Sequence, residues 1–233
     1  VCTAAGAVFL AQHLGARDVG GRRVVEVGSR DARGAVRSIV MPLRPAEYVG
    51  VDMASGPGVD VLCPAEQLIG RFGESSFDVV ISTEMLEHVR DWQAVVHNLK
   101  GVLRDRGLLL ITTRSRGFEY HPYPLDFWRF EVTDLAAIFG DLGIEVLRRD
   151  EEFPGAFLRA RRHNPLVERD MSAYPAYSIV RRHQARTITP LDVAAARLLS
   201  AGKAATGHMF PLAARTATRR VINRLATRWE PSG

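Results

Sequence analysis

The chain has 233 residues with 31 Lys and Arg against 26 Asp and Glu, a net charge of +5, which suits one α/β domain with an extension and one substantial core. No run of about 18 apolar residues occurs, so a membrane-spanning helix is not expected, and Val1 to Leu14 lacks the basic start and cleavage site of a signal peptide. The two cysteines, Cys2 and Cys63, lie far apart without metal-ligand spacing, so the reading is a reducing cytoplasm, no disulfide framework and no metal ligands.

In chain order, hydrophobic periodicity predicts a helix over 3–14, a strand over 23–28, a helix over 34–40, a strand over 47–52 and a short strand near 59–62. A helix over 64–71, a strand over 77–82, a helix over 91–103 and a strand over 107–113 follow. Short Val/Ile/Leu runs alternating with helical segments indicate a parallel sheet covered on both faces. A loop over 114–132, dense in aromatics, leads to a helix over 134–140 capped by Thr133, a strand over 144–149 and a last strand near 156–161. Residues 163–233 read as a basic, mostly helical extension of a unit spanning 1–162. In it Thr189-Pro190 starts an Ala/Leu-rich helix that stops at Gly202. Pro211 begins another, with Leu212, Ile222, Leu225 and Trp229 near one face and Arg220, Arg224 and Arg228 in an i, i+4, i+8 row. Charge follows this division: residues 1–147 carry 15 cations and 19 acids, residues 148–233 carry 16 and 7, and Arg supplies 29 of the 31 cations. Guanidinium groups favour bidentate contact with carboxylates or phosphates.

The most informative stretch is Arg23-Val-Val-Glu26-Val-Gly28-Ser29-Arg30-Asp-Ala-Arg-Gly34, followed by a second strand ending in Asp52. A strand, a tight glycine turn and a second strand tipped by a carboxylate make a nucleoside-binding unit, the carboxylate accepting the ribose hydroxyls. The G-x-G-x-x-G pattern of a dinucleotide site is missing, and Glu26 beside the turn would repel a pyrophosphate. It suits a cation such as the sulfonium and ammonium of S-adenosylmethionine.

With these residues the chain resembles the class I S-adenosylmethionine-dependent methyltransferases. Glu47-Tyr-Val-Gly-Val-Asp52-Met53 is similar to the family's second strand, Phe77-Asp-Val-Val-Ile-Ser82 to its fourth, and Thr83-Glu84-Met-Leu-Glu87-His88-Val89 to the segment that lines the methyl-donor pocket. Gly107 to Thr113 follows as the fifth strand, and the likeness covers about residues 5–162. It implies a Rossmann-like doubly wound sheet ending in an antiparallel hairpin strand, with S-adenosylmethionine as cofactor and S-adenosylhomocysteine as product. It places Glu26, Gly28, Ser29, Arg30 and Gly34 at the methionine end, Asp52 and Met53 at the ribose, Ala65 and Glu66 near adenine, and Thr83 and Glu84 in the donor pocket. Arg30 stands where glycine is frequent, so its side chain turns away or grips the ligand carboxylate; Pro64 stands where many relatives carry an acid.

The loop Glu119-Tyr120-His121-Pro122-Tyr123-Pro124-Leu125-Asp126-Phe127-Trp128-Arg129-Phe130 leaves the fifth strand where ligands bind in open α/β sheets. It resembles a Y-P-x-D-F-W-R-F segment found in a bacterial subset of the family. His121 is the candidate general base, Asp126 its positioning partner, His88 a second candidate, and Tyr123, Trp128 and Arg129 candidate acceptor contacts. The plainer reading has the aromatics plugging the sheet end, Asp126 and Arg129 paired with each other, His88 capping or packing, and Glu84 and Glu87 as solvated or helix-N-terminal charges. The expected activity is O-methylation of a small molecule, sugar or glycolipid headgroup. The rival readings are an RNA or protein methyltransferase using the basic extension, and a non-catalytic S-adenosylmethionine-binding assembly protein. Nucleic acid is not the expected partner; the extension would serve a homodimer or peripheral membrane contact.

Overall fold

The computed structural model describes residues 2–30 and 34–205; the helix expected from Pro211, with its arginine row, lies outside them. A seven-stranded sheet has the order β3-β2-β1-β4-β5-β8-β7, formed by β1 (Arg23–Val27), β2 (Glu47–Asp52), β3 (Val61–Leu62), β4 (Phe77–Thr83), β5 (Leu103–Arg114), β7 (Gly143–Arg149) and β8 (Gly155–Arg161). The first five are parallel, and β8 runs antiparallel between β5 and β7, so the doubly wound sheet with an antiparallel hairpin at one edge is present.

Both faces of this sheet are covered, which is why its central strands read as unbroken apolar runs. Val25, Val27, Val51, Val80, Leu109 and Ile111 enter one core with α4 (Leu68–Phe72), α5 (Trp92–Val102) and α6 (Val132–Ile138). Their strand neighbours Val24, Val79, Ile81, Leu108 and Leu110 enter a second core with α1 (Ala4–His13), α2 (Ala16–Val19) and α3 (Ala35–Val40).

Caps fix most helix starts. Thr3 Oγ1 accepts the Gly6 amide at α1 and Asp91 Oδ1 accepts the Ala94 amide at α5, 3.2 and 3.0 Å away. The cap expected at Thr133 is instead at Glu131, two residues earlier. There the Asp134 carboxylate accepts the Glu131 amide at 2.7 Å in a reciprocal capping box that a threonine at 133 does not offer. Residues 64–71 divide into a 3-10 turn, Ala65–Gln67, and the short α4.

The larger difference concerns residues 114–189. Trp128–Arg129 (β6), Ala176–Ser178 (β9) and His183–Ala185 (β10) form a separate antiparallel sheet in the order β10-β9-β6. Thus the expected loop contains a strand, and the first part of the expected mostly helical extension is coil and strand. Strands this short carry no period to read. Met171, Ala176, Ala185, Ile188 and Ala196 lie in the core shared with α5 and α6, so residue 162 does not mark a break in packing. Helix α7 (Pro190–Ala205) begins as expected but continues through Gly202, because one glycine weakens a helix by only about 1 kcal/mol and its neighbours are good helix formers. No helix among the described residues is long and apolar enough to cross a membrane.

At the start of α7, Asp192 accepts the Thr189 amide and hydroxyl, both at 2.7 Å, and pairs with both arms of Arg181. The Arg181 bond, supported by Thr189, holds the Asp192 carboxyl well below the usual carboxylate range despite burial. Asp192→Ala is expected to cost about 1–2 kcal/mol, the scale of a lost cap. Because the folded-state pKa is depressed, that contribution is complete above the unfolded value of about 4 and fades as pH falls through the folded one. Thermal melts of both proteins should therefore differ most near neutral pH and converge on acidification; a constant gap would remove Asp192 from the acid response.

Candidate active site

The chain leaves β1 toward one edge of the sheet and β4 toward the other, so the carboxyl ends of these neighbours frame the crevice where open α/β sheets bind ligands. Gly28 turns the chain there with φ 84°, and a Cβ at this position would stand 2.8 Å from the Met85 side chain. Both facts require glycine. The Gly28 and Ser29 amides bond Val51 O at 2.9 and 3.0 Å, which ties the turn to β2 and brings Asp52 beside it. One oxygen of Asp52 accepts the Arg30 amide at 3.3 Å and the other the Ala54 amide at 3.0 Å. The Arg30 side chain packs over Gly56, and its guanidinium stands 5.4 Å from the centre of the Tyr123 ring. Gly34 is the left-handed residue that opens α3, Met53 is exposed beyond Asp52, and Ala65 and Glu66 are half-buried in the 3-10 turn. Thr83 is buried at the end of β4. Glu26 is buried too, and accepts the Tyr48 hydroxyl; burial and this carboxylate push the Tyr48 phenol far up.

Two acids after β4, Glu84 and Glu87, for which the plainer reading was a solvated or helix-N-terminal charge, are interior. Glu84, at φ 51°, receives Arg114 Nε, while Arg114 Nη1 bonds Asp150 at 3.0 Å. This buried pairing joins the end of β4 to β5 and to the turn between β7 and β8; burial pushes the Glu84 carboxyl up against the pull of Arg114. Glu87 is fully buried. Its Oε2 accepts Thr113 Oγ1 at 2.8 Å, whereas Oε1 is buried without a hydrogen-bond partner.

Two histidines converge on that oxygen. His88 Nδ1 lies 2.7 Å from Leu125 O, which makes it the protonated nitrogen and turns Nε2 toward Glu87 Oε1, 4.0 Å away. His121 Nδ1 lies 3.0 Å from Asp126 Oδ2, and its Nε2 stands 3.6 Å from the same Glu87 oxygen. The rings meet edge to face with centroids 4.8 Å apart. Burial pushes His88 down to about 4. Burial also opposes charge on His121, but the Asp126 and Glu87 carboxylates outweigh it and raise this histidine to about 9. Glu87, despite burial, is held far below the usual carboxylate range by the imidazoles. The two carboxylates thus favour a proton on His121, the expected base, whereas burial disfavours one on His88. Asp126 and Arg129 pair as anticipated, at 2.6 and 2.7 Å. Of the three expected acceptor contacts only Tyr123 is exposed; Trp128 and Arg129 are interior, and Trp128 Nε1 donates to Val89 O at 2.9 Å. Glu87 was not among the residues expected in the site; the signal for it was its place beside His88 directly after a buried strand.

The profile of a family described as a methyltransferase domain matches residues 9–148. The chain belongs to this methyltransferase family. Among curated proteins, it is 33% identical over 109 residues to a ubiquinone biosynthesis O-methyltransferase of Idiomarina loihiensis, covering 41% of this chain and 44% of that one. A protein of the same name from Chromobacterium violaceum is 29% identical over 121 residues, covering 46% and 50%. The chain thus spans about half the length, or less, of these relatives. Similar solved structures include a Burkholderia thailandensis 1,6-didemethyltoxoflavin-N1-methyltransferase, with TM-score 0.52, 16% identity, and coverage of 68% of this chain and 76% of that one. A [4+2]-cyclase has TM-score 0.54, 14% identity, and coverage of 67% and 79%. At such identities the likeness establishes the fold, which hosts more than one chemistry.

S-adenosylmethionine is the cofactor of this methyltransferase, and the crevice residues fit it. Each Asp52 oxygen accepts one amide, which leaves lone pairs for two ribose hydroxyls. The buried Ser29 and Ser82 hydroxyls, at the ends of β1 and β4, have no protein hydrogen-bond partner. Calorimetry is expected to show binding of S-adenosylmethionine and S-adenosylhomocysteine but not of NAD. Asp52→Ala should weaken it by about 1.5–3 kcal/mol, roughly 10- to 150-fold; unchanged affinity would exclude Asp52 from the ribose site.

Proposed function

We propose that this methyltransferase methylates an oxygen of a small molecule, sugar or glycolipid headgroup, with the acceptor hydroxyl received by the Glu87, His88 and His121 cluster. The observation that carries this reading is the convergence of two imidazole Nε2 atoms on one buried carboxylate oxygen at the carboxyl end of the sheet. The names of the curated relatives, ubiquinone biosynthesis O-methyltransferases, point to oxygen as well.

Bound S-adenosylmethionine supplies a methyl group already activated by the sulfonium charge. What remains for the chain is to hold the acceptor in line, exclude water and take away the hydroxyl proton. The loop over 119–130 is suited to the first two tasks. Tyr123 projects at its tip against Arg30 of the nucleoside turn, so one contact spans both halves of the crevice. Tyr120 anchors the same loop to α7 by donating to Ala196 O at 2.8 Å. The proton is the business of the cluster, whose rings are held from behind by Leu125 O and Asp126.

Extracts of candidate acceptors incubated with methyl-labelled S-adenosylmethionine should yield an O-methylated product. His121→Ala and Glu87→Gln are each expected to lower turnover about a hundredfold while leaving S-adenosylmethionine affinity unchanged. Asp126→Asn combined with His121→Ala should be less than multiplicative. Tyr123→Ala should raise the acceptor KM more than it lowers kcat. Full turnover in both cluster variants, or label found only on nitrogen, would reject the reading.

A further inference from the structure

We propose that Glu87, His88 and His121 together bind one divalent cation of the zinc, cobalt or ferrous type, and that this cation is what receives the acceptor hydroxyl. This rests on the oxygen-methylation reading for its role, though not for its geometry.

The ligand atoms of the three residues lie within 4.8 Å of one another. A carboxylate oxygen with two imidazoles, leaving further positions open, is the donor set of borderline divalent metals; hard magnesium prefers oxygen alone. Ligands bonded at about 2.1 Å stand about 3–3.5 Å apart in such sites. The separations of 3.6 and 4.0 Å from Glu87 Oε1 to the two Nε2 atoms are slightly wider, and small ring rotations close the difference. They are also too long for hydrogen bonds, so Oε1 is buried, aimed into the cluster and without a hydrogen bond, facing only the two imidazoles. A metal-bound oxygen is the arrangement that would satisfy it.

The surroundings are those of a metal site. Metal-binding histidines fix the ring by giving the second nitrogen to a carbonyl or carboxylate. His88 Nδ1 has Leu125 O, and His121 Nδ1 has Asp126, itself gripped by Arg129. Glu87 Oε2 is likewise held by Thr113. The side chains of His88 and His121 keep 11% and 13% exposure, which leaves a way in. Sequence spacing could not announce the site, because its third ligand comes 33 residues after His88 in a different loop. A cation here would lower the proton affinity of the acceptor hydroxyl. The proton leaves to water; the oxygen lone pair forms the O–C bond as the C–S bond breaks, its electrons staying on sulfur.

Chelator-treated full-length chain titrated with Co(II) should take up one equivalent with visible d–d absorption, displaced by Zn(II). His88→Ala and His121→Ala should abolish the band, and Asp126→Asn should weaken Co(II) binding about 10- to 100-fold. In the unmutated protein, which avoids any folding defect of the variants, Zn(II) should shift the imidazole nitrogen resonances of His88 and His121 and no others. Absence of the band, its persistence in the double histidine variant, or shifts confined to other histidines would overturn the site. Methyl transfer to a hydroxyl without Co(II) or Zn(II) binding overturns the cation and leaves the oxygen-methylation reading standing. Metal binding with label found only on nitrogen retains the site and overturns its role.

Discussion

The guanidinium of Arg129 organises the acceptor side of the crevice. Both Arg129 and Asp126 are buried, and all of the arginine's nitrogens are engaged: Nη1 and Nη2 bond the two Asp126 oxygens, and the remaining donors reach Phe118 O, Glu119 O and Trp128 O at 3.2, 2.9 and 2.6 Å. Burying such a charge is tolerable only with this degree of satisfaction, and removing one partner of a buried pair typically costs about 3–5 kcal/mol. One side chain therefore gathers both ends of the loop around itself. Asp126 also accepts the His121 amide at 2.8 Å and faces its ring, so the histidine's orientation follows from the arginine's burial.

That loop is held from both flanks. On the side of the main sheet, Phe127 N donates to Glu87 O and Phe130 N to Arg114 O, at 2.9 and 2.8 Å. On the other side, Ile179 N donates to Phe127 O, and β6 pairs with β9. The returning segment is fastened in turn by Arg90 Nε on Ile188 O at 3.0 Å. A reactive cluster needs its groups held to within about half an ångström; here the residues after 162 supply much of that restraint. They belong to the site's architecture even though they contribute none of the cluster's three side chains.

The donor half was legible in the sequence because its information is local. A glycine that must adopt positive φ, a strand ending in an acid, and Val-rich runs bounded by turns all declare themselves within about a dozen residues; β1 to β4, β7 and β8 appear where periodicity places them, while β5 starts four residues before the expected strand, in what reads as a turn. The acceptor half was legible only in composition. The sequence showed that His121, Asp126 and Arg129 crowd one loop, but Trp128 and Arg129 have the same residue types whether they face a ligand or the interior. Glu87 looked like a surface charge because carboxylates are rarely fully buried. Its burial depends on Thr113 and two histidines brought to it by tertiary structure.

The charge distribution connects the halves. Glu84, Glu87, Asp126 and Asp150 are all buried near the carboxyl end of the sheet, and among the described residues the guanidiniums buried with them are those of Arg114 and Arg129. Four carboxyl groups thus share two guanidiniums. Charges removed from water interact more strongly than solvated ones, so this region favours additional positive charge. The raised affinity of His121 for a proton is one response to that field. A sulfonium ligand in the adjoining crevice meets the same preference, and this is the electrostatic reason for a methyl donor, rather than a pyrophosphate-bearing cofactor, to occupy a turn that otherwise follows the common nucleoside-binding pattern.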